Sequence, residues 1–573
     1  MNQNLKRFFS IAALLCSVTI AAQETSTAIT CNRVDNSECQ GCPTGCTNSQ
    51  NLWQPHAFSV SAARNIMLEK NAWAPMDDEE SWHGTFGVGF EYQSNQSRNN
   101  CCAEVSSCCK SLGSVPFWSS QHIVASGDIA ANTDATYSNQ MTLGDNSGSY
   151  DLDVYQMGMG PVTTNGTVQL DPRVYQTGAD FLVYFGAHRS ERGFWLRAHA
   201  PVGVISINPV LTYSNEDLTS VDYPAGALGT IAAGDIAAPY ENIAQAFNGQ
   251  EEAGFLKKMQ KGRIGDCART SSAQFGDLEA SFGYNVYADE CKHLGIAVTF
   301  SAPTGNKADG TYVLEPIFGR NGHWGAGGSI LGHWRAWESD TDEKHFDLWL
   351  DGTAMHLFRS KHCRSFDLAN GAGSKYLLVA KYAGTTFQNS IQNAVNITTI
   401  GIESTFAVEG NFALGFDFHW CNWSFMVGYE GWGRSCEKIC LDCSCPGSTD
   451  FSEYAVLGRQ TPYSLQGSLI NLAEPCATIG KSLPRAERAN DTTIVDATNV
   501  SNRLPEDALD ALNIQGQRAH AAYTSKPFAQ VQHTWTDSDY SPYLAISGGY
   551  EFTHLKNSAV NLWNVGLQGG IAF

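Results

Sequence analysis

The chain has 573 residues, of which only 16% are charged and 11% are aromatic, with 54 glycines and a formal net charge of −21. That acidic balance argues against a nucleic-acid partner and suits an interior that attracts cations, or simply long solvated loops. Beyond the N-terminus no run of about 20 apolar residues appears, which excludes a bundle of membrane-spanning helices.

Lys6 and Arg7 precede an apolar run, Phe8 to Ala22, closed by the small residues Ala21 and Ala22. This predicts a secretory signal peptide over 1–22. Cys16 follows Leu14 and Leu15, without the small residue a lipoprotein site needs. Export makes disulfides the expected state of the 17 cysteines left from 18 after cleavage. Residues 23–82 hold Cys31, Cys39, Cys42 and Cys46 and are expected to form an N-terminal segment in the periplasm. Their spacing would also fit zinc, but disulfides are the expected use. Phe58 to Lys70 reads as a short lead-in.

From residue 83 onward the chain reads as strands. Phe86, Val88, Phe90 and Tyr92 alternate with Thr85, Gly87, Gly89 and Glu91, a period of two. Residues 94–178, with the pairs Cys101–Cys102 and Cys108–Cys109, read as a long loop. Strands are predicted at Ala179–His188 and Gly193–Ile207, then a second long excursion over 208–276. Within it Tyr240–Arg263 has a helical pattern ending in Lys257, Lys258, Lys261 and Arg263. A hairpin follows: Leu278 to Val286, a turn at Asp289–Lys292, and Leu294 to Phe300. Further strands are predicted at Gly325–Glu338, His345–Phe358, Lys375–Tyr382, Asn396–Val408, Asn411–Trp420 and Trp423–Gly433. Cys421-Asn422 makes a tight turn. Residues 434–519 form the longest excursion, with Cys436, Cys440, Cys443, Cys445 and Cys476 and a short helix at Pro505–Leu512. The last strands are Ala519–Trp535, Pro542–Phe552 and Ala559–Phe573.

In the last strand Trp563, Val565, Leu567, Gly569, Ile571 and Phe573 share one face. In water such a face would invite aggregation; in lipid it is the required outer face of a barrel strand. The alternation ending in Phe573, with Ile571 and Leu567, resembles the C-terminal assembly signal of bacterial outer-membrane β-barrel proteins. The resemblance implies a partner in the barrel-assembly machinery, and lipid and lipopolysaccharide around the barrel.

The fold expected is all-β: a closed antiparallel transmembrane barrel of about 14 strands, within 12–16, with long cysteine-containing external loops. Short turns then lie in the periplasm and long loops outside. The localisation expected is the bacterial outer membrane.

No catalytic constellation is present: there is no HExxH, GxSxG or P-loop. No enzyme activity, cofactor or metal is expected. Parity directs Glu279, Asn285, Glu409, Asn411, Asp417, His419, Glu430, Asn564 and Gln568 into the lumen. A hydrated, acidic interior suits small polar or cationic solutes, so the function expected is a porin-like channel for passive diffusion. One alternative is a structural or adhesive surface protein anchored by its barrel. The other is a transporter of small apolar molecules, since Ala302-Pro303-Thr304-Gly305 after a strand is similar to transporter-type outer-membrane barrels. A homo-oligomer is compatible with either. Tyr240–Arg263 is expected to enter the lumen and narrow it, its Lys257, Lys258, Lys261 and Arg263 meeting Glu279, Glu409, Asp417 or Glu430. The alternative is a basic stretch on the surface.

Overall fold

The computed structural model describes residues 56–573 apart from 74–80, 96–117, 121–135, 145–151, 161–165, 215–219, 224–236, 250–255, 442–449, 457–503, 554–560 and breaks of four residues or fewer. Twelve antiparallel strands close into a barrel: β1 (Ser81–Ser94), β2 (Arg173–Arg189), β3 (Arg192–Asn208), β4 (Leu278–Asp289), β5 (Lys292–Ala302), β6 (Gly325–Glu338), β7 (Lys344–Ser365), β8 (Thr399–Trp420), β9 (Trp423–Arg434), β10 (Ala522–Thr534), β11 (Ser541–Thr553) and β12 (Leu562–Ala572). Each pairs with its neighbours in sequence, and β1 closes the ring on β12 with Thr85 opposite Ala572. Closure removes the sheet edges that lipid would otherwise leave unpaired.

The two-residue period decides which side chains meet lipid. Phe86, Phe90, Phe181, Phe194, Phe282, Val298, Phe300, Phe416, Val427, Ile546, Val565, Leu567 and Ile571 all project outward and are exposed. Their neighbours in sequence point inward and are buried or half-buried. Trp82, Trp337, Trp420, Trp423, Trp535 and Tyr540 are exposed near the short turns, as an interfacial girdle requires. Phe573 stands outward at the same rim and is tied to β1 by backbone bonds between Gly84 and Phe573. The short connections all lie at this end; Cys421 makes one of them possible by taking a left-handed φ of 51°.

Two predicted strands are corrected, and together they turn fourteen into twelve. Lys375–Tyr382 is no wall strand: Leu378–Ala383 pairs with Thr386–Asn393 and Tyr454–Val456 in a separate sheet. Asn396–Val408 and Asn411–Trp420 are one strand, β8. Its alternation breaks because its pairing with β7 shifts register between Met355 and Ser360, and a bulge reverses which parity faces lipid. Only together do the two corrections preserve an even count, so the predicted parity of turns and loops outside 375–420 is unaffected. β7 and β8 are 22 residues each, about twice the 9–11 residues that span a bilayer. Their distal halves therefore stand above the membrane.

The long connections gather there into a body with its own apolar core. Met157 and Met159, Tyr240 to Ile264, Val313 to Phe318, Phe366 to Ile397, and Phe451 to Val456 with Leu504 to Ile514 contribute buried residues from five different connections. Of the helix expected over Tyr240–Arg263, the described residues are helical only at Ile243–Asn248, which lies in this body, while 256–263 are not helical. Cys436 and Cys440 each take part in a disulfide. The signal peptide and Cys31, Cys39, Cys42, Cys46, Cys101, Cys102, Cys108, Cys109, Cys443, Cys445 and Cys476 lie outside the described residues.

Candidate functional site: a filled lumen

Residues 56–73, which include the stretch Phe58 to Lys70 expected as a lead-in before the barrel, run inside it. They contain one helix, α1 (Ala62–Glu69), and a 3-10 turn, Lys70–Trp73. All eight residues of α1 are buried, and α1 packs against β1, β2, β7, β8, β9 and β12, on opposite sides of the ring. Ser61 starts the helix: its Oγ accepts from Arg64 N at 3.2 Å. Glu430 of β9 then serves the same end, accepting from Ala63 N at 3.3 Å and from Ser61 Oγ at 3.3 Å. A carboxylate at a helix N-terminus is favoured by the helix dipole. Ile66, Met67 and Leu68 lie among Leu182, Trp195, Leu331, Trp349, Met426 and Phe528 of the wall, each contributing about 1.5–3 kcal/mol by burial. Gly87 keeps the wall low enough for this approach, since a Cβ there would lie 3.2 Å from Leu68 Cδ2 and 2.5 Å from the Tyr543 hydroxyl.

Polar and ionic pairs fix the segment at four levels. His56 Nδ1 lies 3.0 Å from Glu551 at the loop end. Arg64 donates Nε to Asp180 and Nη1 to Glu91, both at 2.9 Å, and Nη2 to Phe58 O. Arg197 of β3 bridges Glu69 of the segment, at 2.9 Å, to Asp351. Lys70 Nζ lies 2.8 Å from Asp417 and donates to Ser424 at 2.6 Å. A second guest arrives from the β5–β6 connection: Arg320 reaches in and pairs with Glu279, Glu409 and Asp277. Buried charges of this kind persist only when paired and hydrogen-bonded.

At the short-turn rim, imidazoles surround the end of the segment. Trp73 stacks on His293 with ring centroids 3.6 Å apart, and lies 4.8 Å from His83 and 5.6 Å from His188. His333 stacks on Trp349, and His345 on His419.

The residues expected in the lumen are thus brought together by a partner the sequence reading left out. Glu430 caps α1, Asp417 holds Lys70, Glu279 and Glu409 clamp Arg320, and Asn285 bonds His188 at 2.7 Å. Gln568 reaches Met67 Sδ at 3.5 Å, Asn564 donates to Glu91, and Asn411 lines a small cavity beside Ser59, Val60 and Ser61. His419 stands at the rim, partly exposed. They face a filled lumen rather than the water-filled pore expected. Lys261 and Arg263 do not join them. Lys261 Nζ donates to Asp309 O at 2.9 Å, and the Arg263 guanidinium sits 4.7 Å from the Tyr312 ring centroid, both in the 303–324 loop. Lys257 is exposed, and Lys258 O accepts from Asn396 Nδ2 at 3.0 Å. The one helix described here, α2 (Ile243–Asn248), lies outside the barrel in the loop body. What narrows the lumen is residues 56–73.

A closed antiparallel barrel with a lipid-facing apolar exterior, a polar interior, short turns at one rim and long loops at the other defines an outer-membrane β-barrel protein. The chain is such a protein, and its place is the bacterial outer membrane. No protein-family model matches the chain, and no curated protein matches it. Among solved structures it is similar to an outer membrane channel from Pseudomonas putida F1, at 10% identity and TM-score 0.34 over 87% of this chain and 98% of that one. It is also similar to a Pseudomonas aeruginosa FadL homologue, at 7% identity and TM-score 0.25 over 92% and 98%. A third is the P. putida toluene transporter TodX, at 8% identity and TM-score 0.25 over 91% and 94%.

Proposed function

We propose that this chain is an outer-membrane channel for small apolar molecules, closed at rest by its own residues 56–73. The observation that carries the reading is how the two fillings join. The lumen segment satisfies the wall's charges, and its upper end, Phe58, enters the apolar core of the loop body beside Phe318 at 5.5 Å. A hydrophilic solute would meet apolar packing outside and, within, a lumen already filled by the segment and its ion pairs. An apolar molecule would meet a surface of matching chemistry at the mouth. Opening then requires the segment to shift. Lipid, lipopolysaccharide and the barrel-assembly machinery remain the expected partners, and no reaction is assigned.

The test is paired. In cells with intact lipopolysaccharide, expression of the chain should speed uptake of an apolar fluorescent dye, while liposomes carrying the purified protein should not swell in sugar solutions. Sugar flux without dye uptake would restore the passive porin.

A further inference from the structure

We infer that the short-turn rim of the lumen holds a binding site for a divalent transition metal, formed by His345 and Asp347 of β7 and His419 of β8. The register creates the group: His345 pairs with His419, and Asp347 with Asp417. One donor atom from each of the three lies within 4.8 Å of the other two. Asp347 Oδ2 is 3.4 Å from His345 Nε2 and 3.8 Å from His419 Nε2. Donors on a tetrahedral zinc, with bonds of about 2.0–2.1 Å, lie about 3.3–3.4 Å apart. Small movements of two rings would therefore bring the three donors to bonding distance, with the fourth position left to water.

The surroundings fit a cation. Asp347 meets Arg335 through Oδ1, at 3.4 Å, which leaves Oδ2 turned to the imidazoles. His333 Nε2 lies 3.2 Å from the same Oδ2, and Asp417 Oδ2 lies 3.0 Å from His419 Nε2. Although close to carboxylates, His419 Nε2 and both ring nitrogens of His333 find no hydrogen-bond partner in line. Each neutral imidazole keeps one ring nitrogen with a lone pair, and His419 Nε2 is a nitrogen that no aligned hydrogen bond occupies. Asp347 is nearly buried at 4% side-chain exposure, while His345 and His419 are 21% and 24% exposed, so the group is reachable from the rim. Two imidazoles and one carboxylate select zinc, copper or nickel over magnesium or calcium, which prefer all-oxygen shells. The site touches the lumen segment through one residue: Asp417, beside His419, holds Lys70.

The experiment uses the full chain purified in detergent, without an affinity tag, and titrated with zinc and separately with cobalt. One tight equivalent of zinc is expected, with magnesium unable to compete. The cobalt complex should show d–d bands of four- or five-coordinate nitrogen and oxygen ligation and no thiolate charge-transfer band. His345→Gln with His419→Gln should weaken zinc at least tenfold, as should Asp347→Asn. Retention of heat-modifiable electrophoretic mobility shows that these variants remain folded barrels. Absence of a tight equivalent, a thiolate band, or unchanged affinity in the double variant would overturn the assignment.

Discussion

Around α1 the barrel wall meets the segment it encloses through ion pairs and hydrogen bonds with named partners, such as Arg64 to Asp180 and Glu91. Above Phe58, five connections meet one another through aliphatic and aromatic side chains. The two regions close the same barrel under different physics. An ionic contact is specific in direction and distance, and loss of one partner strands the other in a low dielectric. An apolar contact tolerates exchange of one shape for a similar one. The lower region should therefore be brittle to substitution and the upper region forgiving.

The largest effect is expected where the brittle region is cut. Arg64→Ala leaves Asp180 and Glu91 without their guanidinium and should cost about 3–5 kcal/mol of segment docking. Current recordings in planar bilayers should show frequent openings, and Arg64→Lys should rescue only in part, because one ammonium cannot bond both carboxylates in the same way. Closed recordings from Arg64→Ala would erase the contrast between the regions. Next comes Trp73→Ala at the imidazole rim, expected to cost about 3 kcal/mol or more as a buried aromatic is removed. Protease access to residues 56–73 from the short-turn side reads the effect. Smaller still is Phe318→Leu in the loop body, expected to cost under about 1.5 kcal/mol and to leave current records unchanged. A loss as large as that of Arg64→Ala would show that the apolar seal is equally exacting.

The smallest effect is one of pH, in the loop body. Burial, together with the neighbouring Asp309 carboxyl, pushes the Glu315 carboxyl up to about 7. Between the ordinary carboxylate range and about 7, the folded loop holds a proton that the unfolded chain has released. Stability of this loop therefore falls as pH rises through that window and levels off above it. Hydrogen exchange of residues 309–315 should quicken across that range, and Glu315→Gln should flatten the dependence. A slope of opposite sign would exclude Glu315 as its source.

The barrel was legible because lipid imposes a strict period of two on each strand, as in Phe412 to Trp420 or Leu278 to Val286. The alternation over Gly325–Glu338 predicts the same bounds the structure gives. The split of β8 arose where a bulge resets that period, and Leu378–Ala383 reads like a wall strand because a small buried sheet uses the same residues. Residues 56–73 were not legible, because a helix buried on every side has no polar face to mark its period. The chance of reading it lay in Arg64, Glu69 and Lys70, three charges within a short apolar helix and turn, facing a wall already read as acidic. The imidazole rim carried a signal as well. His188, His293, His333, His345 and His419 each stand near a short turn, a regularity hidden when histidines are weighed one at a time.

The central claim is that the chain's own residues 56–73 close the lumen. Single-channel recording tests it most directly, comparing the intact chain with a form in which those residues are replaced by a glycine–serine linker of equal length, both shown to be folded by heat-modifiable mobility. The intact protein should stay closed to small ions apart from brief events, and the linker form should conduct steadily. Equal, steady conductance from both would contradict the account.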